Sequence, residues 1–365
     1  MSAGNPWLAA RNLLALRLDN AGDVVMLGPA LRAIKTTRPD CRITLLASPA
    51  GAKAAALLPW VDSVLIWRSI WQDLGQLPFD PARENELLDL LAERSFDAAV
   101  IFTSFSQTPH VAGYVCYLAG VPLRAGESKE FGGGTLSTEL RGTPDATHQV
   151  DRNLHLVQAL GFTHGDPALE IAIPDASRES VARRLWNVGI APDQPFALLH
   201  PGASAAARRY PATRFGQVAD LLLNRGWSLV VTGSERERDL LESVAADNDT
   251  IPVLTDLSIQ EFAALIARAS AVVCGNTLPL HLADATGTPV VALYSGTDLV
   301  SQWRPRFAPS RVLQQATDCA PCYHFTCPIG LPCLEVDAEE VVAAIEALLV
   351  PLAPALSGQP RMVTA

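Results

Sequence analysis

The residues of this chain that could do chemistry fall into three short stretches. Each is a strand end, a turn of small residues and a helix start. The first is Asp19-Asn20-Ala21-Gly22-Asp23. Its Gly lets the backbone come close to a ligand, and a carboxylate at a helix start is favoured in its charged form. Asp23 there is either a general base at the rim of a cleft or a helix-capping acid. The second is His200-Pro201-Gly202-Ala203-Ser204, followed by Arg208-Arg209-Tyr210-Pro211. Backbone N–H groups of such a turn can face a phosphate, and paired guanidiniums can neutralise a diphosphate. The plain alternative is a solvated basic pair. The third is Cys274-Gly275-Asn276-Thr277-Leu278-Pro279-Leu280-His281. Pro near the first helical turn, free N–H groups and the Thr277 hydroxyl make an anion site, with His281 one turn further on the same face. The alternative is an N-cap, Asn276 or Thr277, beside a core histidine. The first turn lacks a complete G-x-G-x-x-G, which argues against a dinucleotide site of that type in the first half.

A fourth cluster is Cys319-x₂-Cys322-x₄-Cys327-x₅-Cys333, in a Pro-rich run. Four thiols so close could hold zinc or an iron–sulfur cluster. The spacings match neither a zinc ribbon nor a ferredoxin run. The favoured reading is a reduced, partly buried loop near the cleft, with the metal as the weaker candidate.

These residues need elements to position them. Short apolar runs alternate with longer amphipathic ones, the mark of a parallel sheet covered on both faces. In the first half the expected strands are Asn12–Leu18, Arg42–Ala47, Ser63–Trp67 and Ala98–Thr103. Helices are expected over Val24–Thr37, Pro49–Leu58, Glu84–Glu93 and Val150–Leu160. Ala125–Thr147, with its Gly132-Gly133-Gly134 run, is expected as a mobile loop. A second series starts at Phe196, with strands Phe196–His200, Trp227–Thr232, Ala271–Cys274 and Val290–Tyr294. Its helices are Thr213–Asn224, Glu235–Ala246, Ile259–Ala269, Pro279–Ala285 and Ala338–Leu349. The expectation is two Rossmann-like domains, 1–175 and 176–365, with a cleft between them. Ligands of such sheets sit beyond the carboxyl ends of the strands.

Composition sets limits on the partners. The chain has 365 residues, 49% hydrophobic and 18% charged, which excludes a disordered or fibrous protein. Its net charge of −10 makes it a poor nucleic-acid binder. Seven cysteines, mostly scattered, do not form a secreted disulfide framework. The N-terminus shows no signal peptide, and the charge-free run Ala98–Leu123 is too polar to span a bilayer. A cytoplasmic protein is expected, with peripheral contact at the inner face of the cytoplasmic membrane left open.

Taken in order, these stretches resemble glycosyltransferase family nine, the ADP-heptose:lipopolysaccharide heptosyltransferases. RLDNAGDVVMLGPALRAIK looks like the opening strand, Gly-Asp turn and helix of that family. HPGAS with RRYPATRFGQVA, and VVTGSERE after it, look like its donor domain. VVCGNTLPLHLADATGTPVVALYSGT resembles its Asp-Thr-Gly-Pro-Met-His-Leu-Ala signature. The resemblance implies a GT-B fold and inverting transfer of a sugar, commonly an ADP-activated heptose, to a hydroxyl of a lipopolysaccharide-core or other glycan acceptor.

It also implies residue roles. Asp23 matches the catalytic base. Arg208 stands where a Lys commonly meets the donor diphosphate, beside Ser204 and Arg209. Glu235 or Glu237 matches the acidic turn near the donor ribose. Asn276, Thr277 and His281 match the diphosphate-binding signature. Asn276 replaces the usual Asp and Leu278 the usual Gly, departures that leave room for a non-catalytic or altered-specificity relative, or for a sugar-nucleotide epimerase of the same shape. The only Asp-x-Asp, Asp247-Asn248-Asp249, reads as a solvated loop, so transfer without a metal or other cofactor is expected.

Overall fold

A computed structural model describes residues 5–349 apart from 74, 164 and 246–249. The Asp247-Asn248-Asp249 triplet therefore lies outside the described residues. The first lobe opens with α1 (Pro6–Ala9), β1 (Asn12–Arg17), α2 (Ala21–Val25) and α3 (Gly28–Thr37). It continues through β2 (Arg42–Ala47), α4 (Pro49–Ala55), β3 (Ser63–Ile66), α5 (Pro81–Ala92) and β4 (Ala98–Ile101). It ends with α6 (His110–Leu118), β5 (Leu123–Glu127), β6 (Thr138–Leu140) and α7 (Gln149–Ala159). The second lobe runs from α8 (Asp175–Asn187) through β7 (Phe196–His200), α9 (Ala212–Asn224), β8 (Ser228–Thr232) and α10 (Arg238–Ala245). Next come β9 (Val253–Leu254), α11 (Ile259–Arg268), β10 (Ala271–Gly275) and α12 (Leu278–Thr286). Then follow β11 (Val290–Leu293), α13 (Val300–Trp303), β12 (Ser310–Leu313) and α14 (Ala338–Leu349).

Each lobe holds a six-stranded sheet, ordered β3-β2-β1-β4-β5-β6 and β12-β11-β10-β7-β8-β9. The pairings are parallel, as β1 with β4 and β7 with β10. Read from the other edge, the second order repeats the first. The order therefore reverses between β1 and β4, and again between β7 and β10. Loops leave such a point in opposite directions and open a crevice at the strands' carboxyl ends.

Two sequence expectations are corrected. The helix expected over Val24–Thr37 is two helices, broken at Met26 and Leu27. Pro29 cannot donate to an earlier carbonyl and restarts the helix near its first turn. The stretch Ala125–Thr147 is not a bare loop. It carries the end of β5 and all of β6, paired in register from Ala125–Thr138 to Glu127–Leu140. The Gly run merely joins them, while the Arg124 guanidinium ties the joint by donating to the carbonyls of Thr135 and Val121. The charge-free run after Ala98 contains α6, whose apolar residues pack on β4 and β5. Among the described residues no helix is long and apolar enough to cross a membrane.

Candidate active site

The two crevices face each other and merge into one cavity of about 810 Å³. Asp19, Asn20, Gly22 and Asp23 line it from the turn after β1, and Ser104 to Gln107 from the loop after β4. From the second lobe come Ser204 and Arg208 after β7, Glu237 after β8, and Asn276, Thr277 and His281 around the start of α12. A carboxylate of one lobe thus shares a cavity with the candidate anion-binding groups of the other.

Asp23 both caps its helix and faces the cavity. Its Oδ2 accepts from the Asn20 backbone N–H at 3.2 Å. Its Oδ1 accepts from Arg17 Nη2 at 2.9 Å. Arg17, the last residue of β1, is fully buried and also meets the Asp19 carboxylate, Nε to Oδ2 2.8 Å. The Asp19 backbone is fixed in turn by Ser48, whose hydroxyl donates to its carbonyl at 2.6 Å. Burial pushes the Asp19 carboxyl above its usual range, against the lowering pull of Arg17.

On the facing lobe, Arg208 is preset. Its Nε donates to Thr297 Oγ1 at 3.1 Å and its Nη2 to Asp298 Oδ2 at 2.7 Å. Asn276 belongs to the same net: its Oδ1 accepts from the Ser295 backbone N–H at 3.2 Å, and its Nδ2 donates to Asp298 Oδ2 at 3.2 Å. Thr277 is the N-cap of α12, yet its hydroxyl makes no capping bond and is buried without a partner. A buried hydroxyl left so is costly unless something arrives to pair with it. His281 is buried, and its pKa is pushed down to about 4, first by that burial and then by His148 and Arg208. At neutral pH its imidazole is therefore uncharged.

Of the two acids in the turn after β8, Glu237 lines the cavity. Its carboxylate accepts from the Ser234 backbone N–H at 3.1 Å and lies over Gly202, where a Cβ would come within 2.6 Å of Oε1. Glu235 points elsewhere and pairs with Arg238, Nε to Oε1 2.5 Å. Arg209 also stays out of the cavity wall: its Nη2 donates to the Ala203 carbonyl at 2.7 Å and lies 3.7 Å from Glu237 Oε1.

Of the cysteine cluster, Cys319 is exposed, Cys322 and Cys327 are half-buried and Cys333 is buried, all as free thiols. Among the described residues no three His, Cys, Asp or Glu side chains are placed to hold a metal. The same loop carries Tyr323, His324 and Phe325 into the cavity wall. There Tyr323 meets Phe105 of the first lobe, ring centroids 5.5 Å apart.

The family model of glycosyltransferase family 9 (heptosyltransferase) matches residues 90–331. The chain belongs to glycosyltransferase family 9. Among curated relatives of this family 9 chain, lipopolysaccharide heptosyltransferase 1 of Pseudomonas aeruginosa is 24% identical over 327 residues, 86% of this chain and 87% of that one. A family 9 glycosyl transferase structure from Veillonella parvula superposes with a TM-score of 0.76 at 20% identity, covering 93% of this chain and 97% of that one. The ADP-heptose LPS heptosyltransferase II of Escherichia coli gives 0.73 at 19%, covering 92% and 98%. The family 9 fold seen here is GT-B.

Several wall residues carried no sequence signal: Lys53, Ser104, Gln107 and Asp298. They come from α4, the loop after β4 and the loop after β11, and only the fold gathers them.

Proposed function

We propose that this glycosyltransferase moves a heptose from ADP-heptose to a hydroxyl of a lipopolysaccharide-core acceptor, with inversion and without a metal or other cofactor. The observation that carries this reading is the shared cavity, with Asp23 on one wall and Arg208, Thr277 and the start of α12 on the other. The matching relatives, lipopolysaccharide heptosyltransferases among them, support the donor and acceptor classes.

In the proposed reaction the acceptor hydroxyl sits beside Asp23. Its oxygen attacks the anomeric carbon while Asp23 takes the proton. The new C–O bond forms as the bond from the anomeric carbon to the diphosphate breaks, and the electron pair leaves with ADP. One displacement inverts the centre, and no sugar–enzyme bond is needed. Arg208, held by Thr297 and Asp298, stabilises the departing charge without reorganising. Thr277 gains the partner it lacks, and neutral His281 donates a hydrogen bond. Glu237 sits where it can accept from ribose hydroxyls. An acceptor anchored in a lipid would place the protein at the inner face of the cytoplasmic membrane.

A donor screen tests the reading: ADP-heptose first, then UDP- and GDP-sugars, each in excess EDTA. Transfer from ADP-heptose with net inversion is expected. Asp23→Asn should lower kcat by about 10²–10⁴-fold and leave the Kd of ADP unchanged. No nucleotide binding would point to a non-catalytic relative instead, and activity that EDTA abolishes and Mg²⁺ restores would overturn the metal-free step.

A further inference from the structure

Asp23 shares its cation with a second acid. The Arg17 guanidinium donates from Nη2 to Asp23 Oδ1 at 2.9 Å and also to Ser104 Oγ at 2.9 Å. On its other edge, Nε lies 2.8 Å from Asp19 Oδ2. Asp19 is tied down from the far side by Gln107, whose Nε2 donates to Oδ1 at 2.6 Å. The Arg17 side chain is fully buried, and those of Asp19 and Asp23 are 14% and 19% exposed. One positive charge therefore serves two negative ones where water screens weakly.

A base needs a pKa matched to its task. Left alone with a buried guanidinium, a carboxylate drops by about 1–3 units and becomes a poor proton acceptor. A second carboxylate on the same cation opposes that drop. We infer that Asp19 is a positioning residue that keeps Asp23 basic by holding one edge of Arg17. The inference rests on Asp23 being the base. Burial raises the Asp19 carboxyl, which fits a group whose negative charge is sustained mainly by Arg17 and Gln107. Other charged or titratable groups on the cavity wall are Lys53 from α4, His281 from α12 and, across the cavity, His200, Arg208, Glu237, Asp298, Tyr323 and His324. None of these bridges the two acids as Arg17 does.

When Asp23 takes the acceptor's proton, the three-residue cluster goes from one net negative charge to neutral, so no other proton has to move. Removing the Asp19 charge would leave Asp23 paired outright with Arg17.

The test is the pH profile of transfer from ADP-heptose by the full chain, for wild type, Asp19→Asn and Asp23→Asn. In Asp19→Asn the acid limb of kcat/KM should move down by about one unit. The plateau kcat should fall between about 3- and 10-fold while KM for ADP-heptose holds. A limb that stays in place or rises would overturn the inference, because a merely structural role lowers activity at every pH alike. Asp23→Asn separates the two ideas: full activity there sinks the base itself, whereas an inactive Asp23→Asn beside an unshifted Asp19→Asn sinks only the role of Asp19. Carboxyl ¹³C NMR of the wild-type chain needs no variant and no turnover. The Asp23 resonance should show a second inflection at the Asp19 midpoint, and a single inflection overturns the coupling.

Discussion

Arg208 meets the cavity as a guanidinium whose Nε and Nη2 are already committed to Thr297 and Asp298. A diphosphate arriving there must share it with the Asp298 carboxylate. Charge-assisted hydrogen bonds of this kind contribute about 1.5–3 kcal/mol, so Arg208→Ala should weaken ADP binding by roughly 10- to 100-fold in calorimetry. Arg208→Lys should recover part of the loss, since an ammonium keeps the charge without the planar fork. Unchanged ADP affinity in Arg208→Ala would remove this residue from the donor site. The residues legible in the sequence were those on strand–turn–helix signatures: Asp23, Ser204, Arg208, Thr277 and His281. Between Glu235 and Glu237 the sequence held no preference. The choice follows from the Ser234 cap and from the bare Gly202, both of them contacts across turns. Arg17 lies in plain sight at the end of β1, but its role depends on Asp19 and Ser104 folding around it.

At the level of elements, α2 and α12 come from different lobes and pack directly on each other. The contact is close at Gly22, where a Cβ would lie 2.9 Å from His281 Cδ2. Overpacking at such a seam costs about 1–3 kcal/mol. Gly22→Ala should therefore lower the melting temperature and reduce transfer. Gly134→Ala, where a Cβ meets nothing within 4 Å, serves as the control that leaves both unchanged. Equal behaviour of the two variants would mean that the seam yields freely. Long alternating elements were readable because burial on both faces forces apolar runs. The short ones were not: β6 has only three residues, none of them buried, so neither length nor hydropathy marks it. β9, two residues long, and β12, with no buried residue, are hidden for the same reason.

Across the whole molecule, two buried histidines link stability to pH. His200 and His281 are both pushed from about 6.5 to about 4 by burial. Between those values the unfolded chain binds more protons than the folded one. Their contribution is intact above pH 6.5 and is lost as the pH falls toward 4. Each unit of offset is worth about 1.4 kcal/mol per histidine. Asp19, raised by burial, acts in the opposite sense, while His148, also lowered by burial, acts with the two. Thermal melts should shift downward across that window, and His281→Gln should flatten the slope. A melting temperature that ignores pH there would show that the imidazoles stay wet.

One apolar cluster runs through both lobes, with Val24, Leu27 and Leu31 of the first packed into the same mass as Leu280, Leu282 and Val272 of the second. Polar ties join the lobes beside it: Arg306 to Asp151 at 2.6 Å, and Gln302 donating to the Asp145 carbonyl at 2.6 Å. Pulling the halves straight apart would expose the contact between α2 and α12. A swivel about the joined side that parts Phe105 from Tyr323, a single ring pair across the cavity, would widen the mouth and leave that contact buried.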